Sequence, residues 1–439
     1  MLKVSANRRF LVHDDGAPFF YLGDTAWELF HRLDREEAAV YLEDRAAKRF
    51  TVVQAAVLAE ADGLRVSNAF GELPLIDGDP TRPNERYFAH VDYIVDRAAA
   101  LGLYIGMLPT WGDKWNMKWG LGPEIFSPAN ARAYGQWLGR RYADAPIIWV
   151  LGGDRPVENE AQRATIVAMA EGLRAGDNGN HLISFHPQGQ QASAQYFHDA
   201  AWLDFNMVQS GHARNQENWR FIADDYARTP TKPCMDAEPG YEDHPAGFKL
   251  DNGYLDDYEV RKALYWGLFA GAHGHTYGCH PIWQFWHEGR APYSFVRRPW
   301  REALHLLGAS QVGHAAALLR SRPFLSRVPD QSLLVSEEGE GARHVRATRD
   351  SHGSYALIYL PYYAPVTIDL SRLAGETISA YWFNPRNGTA LRIGTQASTG
   401  QVVFEPPAGG PDWVLVLDDA ARGYGAPGTQ TYAEREPQT

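Results

Sequence analysis

Short apolar runs alternate with longer amphipathic stretches through roughly the first 320 residues. The runs predict strands at Phe19–Gly23, Thr51–Leu58, Leu103–Leu108, Ile147–Leu151, Leu182–His186, Phe205–Gln209, Pro233–Ala237 and Ala272–Tyr277. Between them, residues 35–49, 87–102, 131–144, 161–176, 217–228, 256–271 and 301–310 carry helical periodicity. Asp34 is placed to cap the first of these helices, and a glycine closes the second. Strands alternating with helices predict a parallel β/α architecture. A closed (β/α)8 barrel is favoured over an open doubly wound sheet, because the strand count reaches eight and the length suits a barrel of about 250 residues plus insertions. The first strand leads into GDTAWELF, which has neither GxGxxG nor a P-loop pattern, so nucleotide-binding folds lose support. After about residue 320 the pattern changes to short alternating runs broken by turn signals such as NPRNG. The expected organisation is a barrel over 1–322, a small all-β sandwich over 323–418 and a flexible tail over 419–439.

The polar residues fall in phase with this pattern. Each predicted strand runs into a polar or aromatic cluster: GDTAW (23–27), AEADG (59–63), PTWGDKW (109–115), GGDRP (152–156), HPQGQ (186–190), QSGH (209–212), DAEPGYE (236–242) and HTYGCH (275–280). In a β/α barrel the C-terminal strand ends converge on one mouth, and that mouth carries the active site.

Composition narrows the chemistry. A net charge of −11 argues against nucleic acid or an anionic membrane as partner, since both need a basic face. There is no apolar run of transmembrane length. The opening residues also lack the apolar stretch of a signal peptide, which as written reads as cytoplasmic, or as secreted or periplasmic if a leader has been removed. Cys234 and Cys279, too few for a disulfide scaffold, read as two buried thiols. The 14 tryptophans are unusual: Trp111, Trp115, Trp119, Trp283 and Trp286 lie beside polar loop residues, where an indole face can stack on a sugar ring.

Cleaving a glycosidic bond needs one carboxyl to protonate the leaving group and another to act as nucleophile or base. Asp154 ends the fourth predicted strand after two glycines, and Glu238 ends the seventh. Strands four and seven lie on opposing arcs of an eight-stranded barrel, so these two can face each other. Asp236 and Glu242 compete for the second role; Asp236 sits one step deeper, and Glu242 lies beyond Pro239 and Tyr241. Candidate substrate-binding residues are Asp24, Trp27, Trp111, Lys114, His186, Gln209, His212, Tyr241, Glu242, His275, Tyr277 and Trp283. His186, His212 and His275 also raise the alternative of a metal-dependent hydrolase or isomerase, although HxH and HExxH spacings are absent. A carbohydrate-binding barrel without turnover is the other alternative. The favoured reading calls for no metal and no cofactor.

The motifs GDTAWELF, LPTWGDKW, WVLGGDRP, QSGH, DAEPGYE and HTYGCHPIW, in this order, resemble the apiosidase-like glycoside hydrolases, family 140 in the sequence-based classification. The resemblance covers roughly residues 5–320, and the segment after 325 is similar to the collagen-binding-type β-domain often appended to these enzymes. It implies a (β/α)8 barrel acting on apiosides of pectic side chains, with Asp154 as general acid/base and Glu238 as nucleophile. The expected activity is hydrolysis of an apiose-type or other furanoside- or pentose-containing plant glycan, with retention.

Overall fold

The structure is a computed structural model and describes residues 1–436. Each predicted run forms a strand, with small shifts at the ends: β1 (Tyr21–Thr25), β2 (Val52–Leu58), β3 (Tyr104–Thr110), β4 (Ile147–Gly152), β5 (Ile183–His186), β6 (Asn206–Gln209), β7 (Cys234–Asp236) and β8 (Gly274–Tyr277). The helices between and after them are α1 (Arg35–Ala47), α2 (Glu85–Ala100), α3 (Pro128–Arg141), α4 (Glu160–Gly176), α5 (Asn218–Tyr226), α6 (Asp257–Phe269) and α7 (Leu307–Arg320). Only a single turn, Ala194–Phe197, stands between β5 and β6. Asp34 caps α1 in a reciprocal capping box with Glu37. The last helix lies later than the predicted 301–310, because the apolar period that buries it runs through Val312, Ala316 and Leu319.

The strands run parallel in the order β5-β4-β3-β2-β1-β8-β7-β6. Between β5 and β6 the barrel closes through three bonds rather than a ladder: the Asp204 N–H donates to Ile183 O at 2.9 Å, the Ile183 N–H donates to Asp204 Oδ2 at 2.7 Å, and Ser184 Oγ donates to Phe205 O at 2.7 Å. Both faces of the sheet are buried, which is why the strands read as continuous apolar runs. Tyr21, Val52, Leu108, Val150 and Met207 fill the interior, while Leu22, Val53, Met107, Leu151 and Val208 pack against the helices. An N-terminal antiparallel sheet covers the bottom, and its Leu2, Leu11 and Phe19 join the interior core.

Beyond α7 the β-domain contains β9 (Arg327–Pro329), β10 (Arg346–Asp350), β11 (Tyr355–Leu360), β12 (Val366–Asp369), β13 (Thr377–Phe383), β14 (Ala390–Ala397), β15 (Gln401–Phe404) and β16 (Trp413–Asp419). The antiparallel sheet β9-β10-β11-β16-β13-β14 shares a core with the β12–β15 pair, formed by residues such as Ile358, Ile368, Phe404 and Leu415. Helix α6 joins the two domains. Arg261 forks onto both oxygens of Asp412 at 2.9 Å each, and the Trp266 indole donates to His344 O at 2.7 Å. Within the segment expected to be a flexible tail, Tyr432, Glu434 and Glu436 hydrogen-bond to the body of the protein. Glu434 accepts the Phe324 N–H at 2.6 Å, Tyr432 donates to Arg320 O at 2.7 Å, and Glu436 bonds the N-terminal sheet at Gly16 and Ala6. Backbone groups left bare at the end of α7 and in the bottom sheet find partners there. Residues 437–439 of that expectation lie outside the described residues.

Arg261 and Asp412 are both buried, so removing one strands the other's charge. Asp412→Ala is expected to cost about 3–5 kcal/mol, seen as a lower urea midpoint for the whole chain. An unchanged midpoint would show that this pair does not hold the domains together.

Candidate active site

The mouth of the barrel opens into a cavity of about 520 Å3, lined among others by Trp27, Glu60, Trp111, Trp119, Asp154, Gln209, His212, Glu238, Tyr241, His244, His280, Trp283 and Tyr293. Asp154 reaches it because the chain turns sharply after β4. Gly152 and Gly153 both take φ +96°, and a Cβ on Gly152 would lie 2.2 Å from His186 O. These glycines let the β4 end press against its neighbours: the Gly153 N–H donates to His186 O, and Gly112 donates to Gly153 O, each at 3.1 Å. Asp154 itself sits at φ +54°, a left-handed conformation that a short Asp tolerates better than most residues. Its Oδ2 accepts from Arg155 Nη1 at 3.2 Å and from the Trp119 indole at 3.4 Å.

Glu238 follows β7 by two residues and is 6% exposed. Strand alternation sends Asp236 outward, where Ser210 Oγ donates to it at 2.7 Å and Asn218 of α5 at 3.0 Å. Glu238 has the same parity, but the ladder ends at Asp236 and the chain bends there, so the second carboxyl enters the cavity. His212 Nδ1 accepts the Tyr241 N–H at 3.4 Å, which leaves Nε2 to donate to Glu238 Oε1 at 3.2 Å. His186 Nε2 stands 3.1 Å from Glu238 Oε2. The Tyr241 hydroxyl, which receives the Trp27 indole N–H at 3.2 Å, closes the floor.

The two carboxyls are displaced in opposite directions. Burial raises Asp154, the negative charge of Glu238 raises it further, and Arg155 offsets only part of this. Burial also works to raise Glu238, but the hydrogen bonds and charge of His186 and His212 outweigh it and bring that carboxyl down to about 2. The cavity therefore pairs a Glu238 held in its ionised form with an Asp154 pushed toward its protonated form.

The structure brings Trp27, Trp111, Asp154, Gln209, His212, Glu238, Tyr241 and Trp283 to one cavity. Six of the expected binding residues do not line it. Asp24, at an outward position of β1, accepts from Tyr41 and Arg45 of α1, each at 2.5 Å. Tyr277 and His275 share that outward parity on β8, opposite Asp24 and Leu22. Tyr277 bonds Glu242, which also accepts the Gly308 N–H at 3.1 Å at the start of α7, so both belong to the packing behind the mouth. Lys114 is fully buried, donating to Ala59 O at 2.9 Å and Asp113 at 2.6 Å, while Asp113 accepts two backbone N–H groups of the Trp119 loop. His186 acts from behind Glu238. The three strand-end histidines thus do not converge, since two face Glu238 and His275 points outward. Of the indoles singled out for stacking, Trp115 is buried against Gly152 O, and Trp286 bonds Arg290 O outside the cavity lining.

Sequence reasoning did not single out Glu60, His244 or His280. Glu60 and His280 lie inside strand-end clusters that were recognised, AEADG and HTYGCH, which was the available signal. His244 stacks on His212 at 4.4 Å and meets His280 edge-on at 4.5 Å, and it comes from a loop with no periodicity to mark it.

The sequence matches the family model described as "Apiosidase-like, catalytic domain" over residues 5–326. It also matches "Putative collagen-binding domain of a collagenase" over 328–418. No curated protein matches the chain. Among solved structures, a chain described as a glycoside hydrolase is 35% identical with a TM-score of 0.88, covering 96% of this chain and 97% of its own. A glycoside hydrolase family 5 protein from Bacteroides vulgatus is also 35% identical, at TM-score 0.89, covering 99% of this chain and 96% of its own. The chain is therefore a glycosidase, and it belongs to the apiosidase-like family.

Proposed function

We propose that the chain hydrolyses, with retention, an apiose-type or other furanoside- or pentose-containing plant glycan, using Glu238 as nucleophile and Asp154 as general acid and then base. The observation that carries this is the opposite displacement of two carboxyls in one cavity. Acid and nucleophile must coexist at one pH, and environments that push two carboxyls apart are how one site achieves it. Glu238 attacks the anomeric carbon while Asp154 delivers its proton to the departing oxygen, leaving a glycosyl ester on Glu238. Asp154, now ionised, takes a proton from a water that attacks the same carbon and frees Glu238. Charge develops on the sugar in each transition state, and Trp27, Trp111 and Trp283 give its ring apolar faces to stack on. The cavity volume suits a small sugar unit and its linkage. Family membership supports the substrate class.

Asp154→Asn and Glu238→Gln are expected to lower kcat by about 10²–10⁴-fold while circular dichroism stays unchanged. Near-normal turnover in both would end the assignment. Screening apiosides and aryl pentosides against the wild type identifies the sugar, and NMR of the first-formed anomer tests stereochemistry. Inversion would reject the nucleophile role of Glu238.

Glu238 must be ionised to attack, so activity should fall with acid only as pH approaches about 2. His212→Phe removes one hydrogen bond to the carboxylate and should move the acid limb of kcat/KM upward by about 1 pH unit. An unmoved limb would mean that His212 does not hold the charge.

A further inference from the structure

A third carboxyl faces the same cavity. Glu60 lies two residues past β2, in a turn fixed on both sides by buried charges. The carbonyl of Ala59 receives the Lys114 ammonium at 2.9 Å, and the N–H of Ala61 is held by Glu28 Oε1 at 3.1 Å. The turn is thus rigid, yet among the described residues no side chain or backbone group hydrogen-bonds the Glu60 carboxyl. Glu60 is half-buried in the cavity wall, and a carboxyl fixed in place with no protein partner keeps its hydrogen-bonding capacity free for a molecule in the cavity.

We propose that Glu60 is a substrate-binding residue of this site, hydrogen-bonding a sugar or leaving-group oxygen next to Asp154 and selecting for an acceptor at that position. This rests on the glycosidase reading of the Asp154–Glu238 cavity. The ionisable neighbours of Glu60 are Asp154 and Arg155 after β4, Glu28 after β1, Asp113 after β3 and Tyr293 after β8. Burial, then the charge of Asp154, pushes Glu60 up to about 8, with Arg155 opposing. Below that pH it is an uncharged acid that both donates and accepts. A carboxylate there would only accept and would repel electron-rich oxygens beside Asp154.

The sign follows directly. Below about pH 8 Glu60 donates, and above it that donor is lost. Loss of the Glu60 donor adds to loss of the general acid, so the alkaline limb of log kcat/KM in the wild type should reach a limiting slope of about −2, one proton from Glu60 and one from Asp154. Glu60→Gln keeps an uncharged donor and acceptor of the same size. It should hold kcat/KM within a few-fold at neutral pH and reduce the limiting slope to about −1. Glu60→Ala removes the bond and should lower kcat/KM by about 10–100-fold, consistent with an unpaired hydrogen bond to substrate.

Infrared difference spectra between wild type and Glu60→Gln give a readout independent of turnover: a protonated-carboxyl C=O band at pH 7 that fades near pH 8. In Asp154→Asn, which removes the neighbouring charge, the band should fade at lower pH. Three results would each overturn the proposal: a Gln variant as impaired as Ala, an unchanged slope, or no such band at pH 7. Absence of hydrolysis by the wild type on every glycoside screened would instead refute the glycosidase reading, and the infrared arm would still report on Glu60.

Discussion

Glu238 is a carboxylate held almost out of water, and much of the mouth compensates for that. Removing an ion from water costs several kcal/mol unless charge and hydrogen bonds replace the solvent. Two histidines from neighbouring strand ends face Glu238: His212 Nε2 donates to Oε1, and His186 Nε2 stands 3.1 Å from Oε2. Each is oriented in turn, His212 by the Tyr241 backbone and by stacking on His244. The short turn after β4, with glycine where a Cβ would strike His186 O, lets the segment that carries Asp154 pack directly against the strand end that carries His186.

Once Glu238 is held ionised, its charge acts on the rest of the cavity. Asp154 cannot share that volume as a second carboxylate without penalty, so its carboxyl is pushed toward the protonated form. Glu60, beside Asp154 and without a bond of its own, is pushed the same way. The acid–nucleophile division proposed here is thus an electrostatic consequence of one well-compensated anion and poorly compensated neighbours.

The same economy of polar groups explains which expected site residues were misplaced. Asp24, Glu242 and Tyr277 are polar residues at strand ends, indistinguishable along the chain from those that face the mouth. Asp24 and Tyr277 lie at outward positions, and with Glu242 they satisfy each other and Arg45, Tyr41 and the α7 terminus. Lys114 and Asp113 tie down the loops that carry Glu60 and Trp119, shaping the cavity without touching it. The tail followed the same logic, since residues 432–436 look unstructured alone but pair backbone groups that α7 and the bottom sheet leave bare.

The amino-acid sequence by itself determined the architecture: eight apolar runs buried on both faces, helices with caps and amphipathic periods, and polar clusters in phase at one end of every strand. These are local properties, set by periodicity and by the need to bury apolar surface, and they survive in one dimension. It also marked Asp154 and Glu238, because the glycines and strand ends around them are local signals. What only the tertiary structure decided is direction and partnership. Whether a strand-end side chain faces the cavity or the helices depends on where the ladder stops, as the bend after Asp236 that turns Glu238 inward demonstrates. Whether a carboxyl is ionised depends on residues from other strands, and those distances exist only after the barrel closes.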